Sequence, residues 1–332
     1  MTIKAEEIVF TGERTAALSS RQFVDPVGSE VLIRNRLSII SPGTEGIVFS
    51  RLFSPGTHWD AWVRYPFYPG YASIGVVEKC GPDVVSLHPG DRVAHRSTHA
   101  SHSLVDESRC CSIPDDVADD DAIFFAFAKI TAMGARVAGY RLGSRVAVIG
   151  AGVIGHFSAR WALAAGADRV AMVDAAATKL TALPGGVIPV TGRLDDSVRE
   201  KIREIFDGEL PEIVLDSTGN PAVFPEVLHT AAKFGRVVLL GDTGYPERQH
   251  LTSDVITAGL TIVGAHDPHE SPEWNTRSIT RLFFRMLIDG RMKTSGLITH
   301  RFSFSNPQQI YQTCIAERDR LLGAIIDWNR EA

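Results

Sequence analysis

The turn Gly150-Ala-Gly152-Val-Ile-Gly155 follows directly on the apolar run Val146-Ala-Val-Ile149 and opens a stretch of helical character over residues 153–165. No other feature narrows the fold as much. Strand, spaced glycines and helix in that order make the start of a βαβ unit. Gly150 takes the tight turn, Gly152 lets the backbone approach a pyrophosphate, and Gly155 lets helix and strand pack closely. The first helical residues, Val153 and Ile154, present free N–H donors and partial positive charge to phosphates. Asp174 ends the next apolar run, about twenty residues on, where a carboxylate accepts from both hydroxyls of an adenosine ribose. A 2′-phosphate would meet that negative charge. The pattern therefore predicts NAD(H) over NADP(H), with Lys179 in reach of the ribose edge. The competing reading is a nucleotide-free domain of the same shape, with a vestigial loop and a chance acidic residue.

Further strands are expected at residues 170–173, 213–215, 237–240 and 262–264, with helices between several of them. Such alternation predicts a doubly wound parallel sheet covered on both faces. The first third is different. Short alternating runs such as Glu30-Val-Leu-Ile-Arg-Asn-Arg36 are separated by turn signals at Asp25-Pro26, Ser41-Pro42-Gly43, Pro69-Gly70 and Pro89-Gly90, which suits a small β-barrel. Asp119, Asp120 and Asp121 form the acidic first turn of a helix through Phe124 and Lys129 towards Gly139. A polar loop over residues 265–272 leads to a helix through Leu282, Phe283, Met286 and Leu287. The runs at 301–304 and 324–328 read as strands returning to the first domain.

The 332 residues are enough for about two domains. With 34 Lys+Arg against 39 Asp+Glu the net charge is −5, so no global attraction to nucleic acid or an anionic membrane is expected. Cys80, Cys110, Cys111 and Cys314 form neither a disulfide framework nor a C-x-x-C pair, and MTIKAEEIVF lacks the apolar core of a secretory signal. A cytoplasmic protein with a small-molecule substrate is expected.

Gly90-Asp-Arg-Val93, Ile113-Pro-Asp115, the glycine turn, Asp174, Asp216-Ser-Thr-Gly219 and Gly235-Arg-Val-Val-Leu-Leu-Gly241 together resemble the medium-chain dehydrogenase/reductase superfamily over nearly the whole chain. The resemblance implies an α/β fold in which a GroES-like β-barrel catalytic domain (1–128 and 267–332) is split around a Rossmann NAD-binding domain (129–266). It places Thr218, Gly241 and Ala265 beside the cofactor, and it implies a homodimer. Ile40-Ser-Pro-Gly-Thr-Glu45 and Tyr68-Pro-Gly-Tyr-Ala-Ser-Ile-Gly75 look like the branch containing bacteriochlorophyllide hydroxyethyl dehydrogenases.

Zinc-dependent members of that superfamily carry a Cys, a His-Glu pair and a third ligand where this chain has Pro42, Tyr71 with Ala72, and Phe127. No tetrahedral N/S site can be built from those side chains, and no metal is expected. His95, His99 and His102 invite a metal reading, but on strand and loop their spacings do not share a face, which favours surface histidines or a polar cleft wall.

Hydride transfer to a carbonyl leaves negative charge on oxygen, and without zinc the protein must supply donors and a proton; one well-placed donor is worth about 3–4 kcal/mol. Tyr71 stands at a former ligand position and is either the proton donor or an aromatic filling the vacated space. Lys129 interrupts an apolar helix start and either relays protons or reaches the surface. Thr44 is the hydroxyl of the relay turn, with Glu45 as a structural carboxylate bonding backbone N–H groups. His266 follows the Gly264-Ala265 backbone and points to the cleft or to a subunit interface. Residues 50–67, with Phe53, His58, Trp59, Trp62, Arg64 and Tyr65, form a pocket wall, a lid or a dimer contact. The leading expectation is a zinc-independent NAD(H)-dependent enzyme interconverting a secondary alcohol, sugar-like or cyclitol, and a ketone. C=C reduction of an enone or quinone, and nucleotide binding without catalysis, are the alternatives.

Overall fold

The computed structural model describes residues 2–329. The chain opens with an antiparallel pair, β1 (Ile3–Gly12) and β2 (Thr15–Phe23). β3 (Glu30–Ile40) leads through the short helices α1 (Pro42–Ser50) and α2 (His58–Trp62) to β4 (Ser73–Cys80), β5 (Arg92–His95), β6 (His102–Asp106) and β7 (Cys110–Ser112). Two further helices, α3 (Asp119–Ala122) and α4 (Phe125–Ala138), carry the chain across to the second half.

There β8 (Arg145–Ile149), α5 (Val153–Ala164), β9 (Arg169–Asp174), β10 (Val187–Thr191), α6 (Asp196–Ile205), β11 (Ile213–Asp216), α7 (Phe224–Thr230), β12 (Arg236–Leu239), α8 (Asp254–Thr257) and β13 (Thr261–Gly264) follow one another. The six strands form one all-parallel sheet in the order β10-β9-β8-β11-β12-β13. This order reverses direction beside β8, and ligands of such sheets bind at the carboxyl ends of the strands around that point. The chain then returns through α9 (Thr276–Ile288), β14 (Ile298–Ser303), α10 (Pro307–Ala316) and β15 (Gly323–Asp327). β15 pairs antiparallel with β3, which closes the seven-stranded sheet β14-β15-β3-β4-β5-β7, with β6 added on β3. The α/β architecture and the return of the last strands agree with the sequence reading.

Three details differ from it. The helix expected from Asp119 to Gly139 is two helices joined at Ile123 and Phe124; Gly139 ends the second at φ +69, where the absent Cβ removes the steric penalty of the left-handed region. β10 has no alternating apolar pattern and contains Pro189, which an edge strand tolerates because one side of its backbone needs no partner. The turn at 42–50 is helical, with Pro42 in the first turn behind Ser41, where a missing N–H costs nothing.

The apolar core that joins the two sheets is centred on α4. Phe124, Phe125, Phe127, Phe157, Phe283 and Phe284 are buried together there. α5 packs so tightly on β8 that a Cβ on Gly155 would lie 1.9 Å from the Gly150 carbonyl oxygen, whereas a Cβ on Gly152 would meet nothing within 4 Å. Gly155→Ala is therefore expected to lose about 1–3 kcal/mol of stability through overpacking. Gly152→Ala meets no neighbour and gives up only the N-cap preference of Gly over Ala, so it should lose about 0.5–1 kcal/mol, the lower end of the range for N-cap changes. Urea unfolding of the two variants measures both.

Candidate active site

The residues expected to hold a dinucleotide converge on the carboxyl edge of the parallel sheet. β8 ends at Ile149 and runs into Gly150, whose φ of +96 makes the turn. Ser217 locks the loop from the neighbouring strand: its hydroxyl donates to the Gly150 carbonyl at 2.8 Å. Gly152 caps α5 without any side-chain bond, so the N–H groups of the first turn, Val153 and Ile154 included, have no partner in the helix. Asp174 ends β9 and its carboxylate accepts from the backbone N–H of Ala151 and of Ala176, both at 2.8 Å. That arrangement fixes the carboxylate beside the glycine turn with lone pairs remaining for a ribose. Lys179 is half-buried nearby; burial pulls its ammonium down, and the Asp174 charge works against that shift.

Thr218 is turned inward. Its N–H and hydroxyl both donate to Asp216 Oδ1, at 2.8 and 2.6 Å. Asp216 is buried, which pushes its carboxyl up, and Oδ2 has no partner among the described residues. Gly241 and Gly219 bring two loop backbones into contact, since a Cβ on Gly241 would lie 2.2 Å from the Gly219 nitrogen. Ala265 follows β13 and donates its N–H to the Leu239 carbonyl at 3.0 Å. Glycine turn, Asp174, Thr218, Gly241 and Ala265 thus share one edge of one sheet.

Three residues beyond β13, Asp267 links this edge to the other half of the molecule. Lys129, buried on α4 at 1% exposure, donates to the Asp267 carbonyl and to its Oδ1 at 2.9 Å, and pairs with Glu270 Oε1 at 2.8 Å. It is a doubly paired charge inside the domain junction and does not reach the surface. Arg96, from the segment after β5, donates Nη2 to the same Asp267 Oδ1 at 3.1 Å. Its guanidinium lies over the rings of Tyr71 (5.2 Å) and Phe125 (6.0 Å). Tyr71 is half-buried and meets Phe127 edge-on at 6.1 Å. Burial pushes its phenol well above the usual value, against the opposing effects of the neighbouring Ser41 hydroxyl and the Arg96 charge. The phenol therefore stays protonated across the neutral range. Arg96 and Asp267 were not singled out from the sequence, because they lie 171 positions apart and neither sits in a local pattern.

Behind Tyr71 is a second buried array. Glu45 accepts from the Ser41 N–H (2.7 Å) and the Tyr311 hydroxyl (2.6 Å), and its Oε2 lies 3.1 Å from His99 Nε2. Glu45 is therefore the structural carboxylate expected. His99 and His95 are fully buried, the first against Ser38 at 2.8 Å and the second against Asn35 at 2.9 Å. The reading of them as surface histidines is corrected here. Burial and the Arg109 charge hold His95 down to about 3, so it is neutral. Thr44 is half-buried on α1, and His266 is exposed with its ring against His269 at 5.8 Å.

The superfamily's zinc does not fit these residues. Pro42, Ala72 and Phe127 carry no donor atom, and Glu45 and His99 are committed to each other and to Tyr311 and Ser38. Among the described residues no group of three or more His, Cys, Asp or Glu could hold a metal ion.

The aromatic segment 50–67 is tied to the loop that follows β12 and Gly241. Ser54 N–H donates to the Gly244 carbonyl (2.9 Å), Ser54 Oγ to Glu247 (2.8 Å) and Trp59 Nε1 to the Thr243 carbonyl (3.2 Å), while His58 pairs with Asp242 at 2.8 Å. Phe53 and Trp59 are buried beneath it, so they pack against protein.

Two family profiles match the chain: one described as an alcohol dehydrogenase GroES-like domain over residues 29–118, the other as a zinc-binding dehydrogenase over residues 153–282. The chain is 26% identical over 311 residues to an L-threonine 3-dehydrogenase of Anaeromyxobacter sp. (strain K), covering 82% of this chain and 86% of that one. It is 24% identical over 310 residues to the galactitol 1-phosphate 5-dehydrogenase of Escherichia coli (strain K12), with the same coverage. The crystal structure of 2R,3R-butanediol dehydrogenase from Bacillus subtilis superposes with a TM-score of 0.81 at 15% identity, covering 97% of this chain and 99% of that one. With both profiles in chain order, a six-stranded cofactor sheet and a GroES-like sheet around it, this chain belongs to the medium-chain dehydrogenase/reductase superfamily of dinucleotide-binding oxidoreductases.

Proposed function

We propose that the protein is a zinc-independent, NAD(H)-dependent oxidoreductase that interconverts a secondary alcohol and a ketone. The observation that carries the reading is the Tyr71 phenol, kept neutral by burial and overlaid by the Arg96 guanidinium, beside the carboxyl edge of the parallel sheet. The cofactor domain is taken as 129–266 and the catalytic domain as 1–128 with 267–332, of which 330–332 lie outside the described residues. Lys129 and Asp267 then pair across the two points where the chain passes between domains.

When bound, the dinucleotide supplies or accepts the hydride. The first-turn N–H groups of α5 hold its pyrophosphate, Asp174 its adenosine ribose, and the Ala265 backbone its carboxamide. In the reducing direction Tyr71 passes its phenol proton to the substrate oxygen, and Ser41 is the hydroxyl through which the phenol is reprotonated. Arg96 offsets the negative charge that would otherwise be stranded on the buried ring. Thr44 and His266 remain further candidates at the cleft. Lys129, paired on both sides, positions Asp267 and through it Arg96. The likeness of residues 40–45 and 68–75 to the bacteriochlorophyllide hydroxyethyl dehydrogenase branch rests on those two segments alone.

The exposed ends of β13, the edge of the cofactor sheet, suit pairing with a second copy, and a homodimer is proposed. The four cysteines are free thiols, in keeping with a cytoplasmic location, and among the described residues no helix is long and apolar enough to cross a membrane.

Three outcomes are expected. Tyr71→Phe lowers turnover at least about tenfold and leaves NADH affinity unchanged; wild-type turnover in that variant removes Tyr71 from the mechanism. NADH binds at least about tenfold more tightly than NADPH in a fluorescence titration, because the Asp174 carboxylate repels a 2′-phosphate. Protein dialysed against a strong chelator keeps its activity and carries no stoichiometric zinc by elemental analysis.

A further inference from the structure

Arg96 is the feature that the mechanism above uses least fully. Its side chain is 18% exposed and is flanked by the faces of Tyr71 and Phe125. A guanidinium carries five N–H donors in a planar fork. Among the described residues, the side chain of Arg96 makes one hydrogen bond, from Nη2 to Asp267 Oδ1. That oxygen is shared with Lys129, so Arg96 and Asp267 do not form the two-pronged pair that a guanidinium and a carboxylate make when each is the other's sole partner. None of the remaining N–H groups is among the buried atoms left without a partner, so they keep some exposure to solvent and are not spent on protein acceptors.

A structural cation would be spent on its counter-ion, as Arg92 is. Arg92 bonds Asp119 through Nε and Nη2 and two backbone carbonyls besides. Arg96 instead has its plane set by two rings, its position set by one shared oxygen, and its fork open. Stacking on Tyr71 also puts it within one small molecule's length of the phenol oxygen.

We infer that Arg96 is the substrate-recognition residue of this site: its free fork receives a carboxylate carried by the substrate next to the reacting carbon, so that the substrate class is a short hydroxy acid and its oxo acid. This rests on the assignment of Tyr71 as proton donor at the dinucleotide cleft. Its geometry is simple. The carboxylate accepts from the open N–H groups of Arg96, and the carbonyl or hydroxyl oxygen of the same molecule then lies against the Tyr71 hydroxyl. Carbonyl compounds without the acid leave the fork unsatisfied in a largely desolvated place, which selects against them.

The test is isothermal titration calorimetry on the whole protein, with and without NADH, using oxamate and malonate as probes against their uncharged diamides, oxamide and malonamide. At least one acid should bind the wild-type protein about tenfold or more tightly than its diamide. Arg96→Gln should abolish that preference while NADH affinity stays within about twofold. Arg96→Lys should restore part of it, since charge returns without the fork. The inference is overturned if neither acid outbinds its diamide, or if the preference survives in Arg96→Gln. Failure of the wild-type protein to bind NADH or NADPH is read in the same titrations and overturns the cofactor assignment instead; the acid preference of the free protein still decides the role of Arg96.

Discussion

Gly155 comes so close to the loop it follows that the glycine turn and helix α5 behave as one rigid piece of backbone. That contact fixes where the first-turn N–H groups point, and those groups are the only positive feature the loop itself offers to a phosphate. Asp174 and Ser217 complete the arrangement from the two neighbouring strands, one bonding the Ala151 N–H and the other the Gly150 carbonyl. Every other part of the site is placed relative to this turn. Ala265 reaches the same edge because β13 belongs to the same sheet, and Asp267 reaches it because it lies two residues further on.

Much of this was legible in the primary structure for a local reason. A βαβ unit with its glycines and acidic residue is a short-range pattern, and strands buried on both faces show as unbroken apolar runs. β10 was not legible, because an edge strand with Pro189 and two half-exposed or exposed neighbours lacks that run. α6 was hidden by its charge: only Val198 and Ile202 of its ten residues are buried, so its apolar stripe is one residue wide and two long. The dense histidines misled for the opposite reason. His95 on β5 and His99 in the loop after it are sealed by β1 and β3, strands that lie far away in the sequence, whereas His102 on β6 stays partly exposed.

The catalytic end was legible only as a set of empty positions. Proline, alanine and phenylalanine where the resemblance puts zinc ligands show only which donor atoms are missing, without naming any group in their place. The ion-pair array of Arg96 with Asp267 and Lys129 is assembled from three separate stretches and has no sequence signature. Its charges balance in pairs, two cations against Asp267 and Glu270, which is the condition for keeping a lysine at 1% exposure. Arg96 lies in the stretch matched by the GroES-like profile and Asp267 with Glu270 in the stretch matched by the zinc-binding dehydrogenase profile, so neither stretch holds the array alone.

The segment that joins Ser54, His58 and Trp59 to residues 242–247 has a mechanical consequence. It stitches the two halves along one side of the cleft, immediately after Gly241. On the other side, near Asp174, Thr178 Oγ1 donates to the Asp319 carbonyl and Arg160 Nε to the Lys293 carbonyl. The cofactor sheet is thus clasped at both flanks, and neither flank is a loose edge from which the halves could simply be peeled apart.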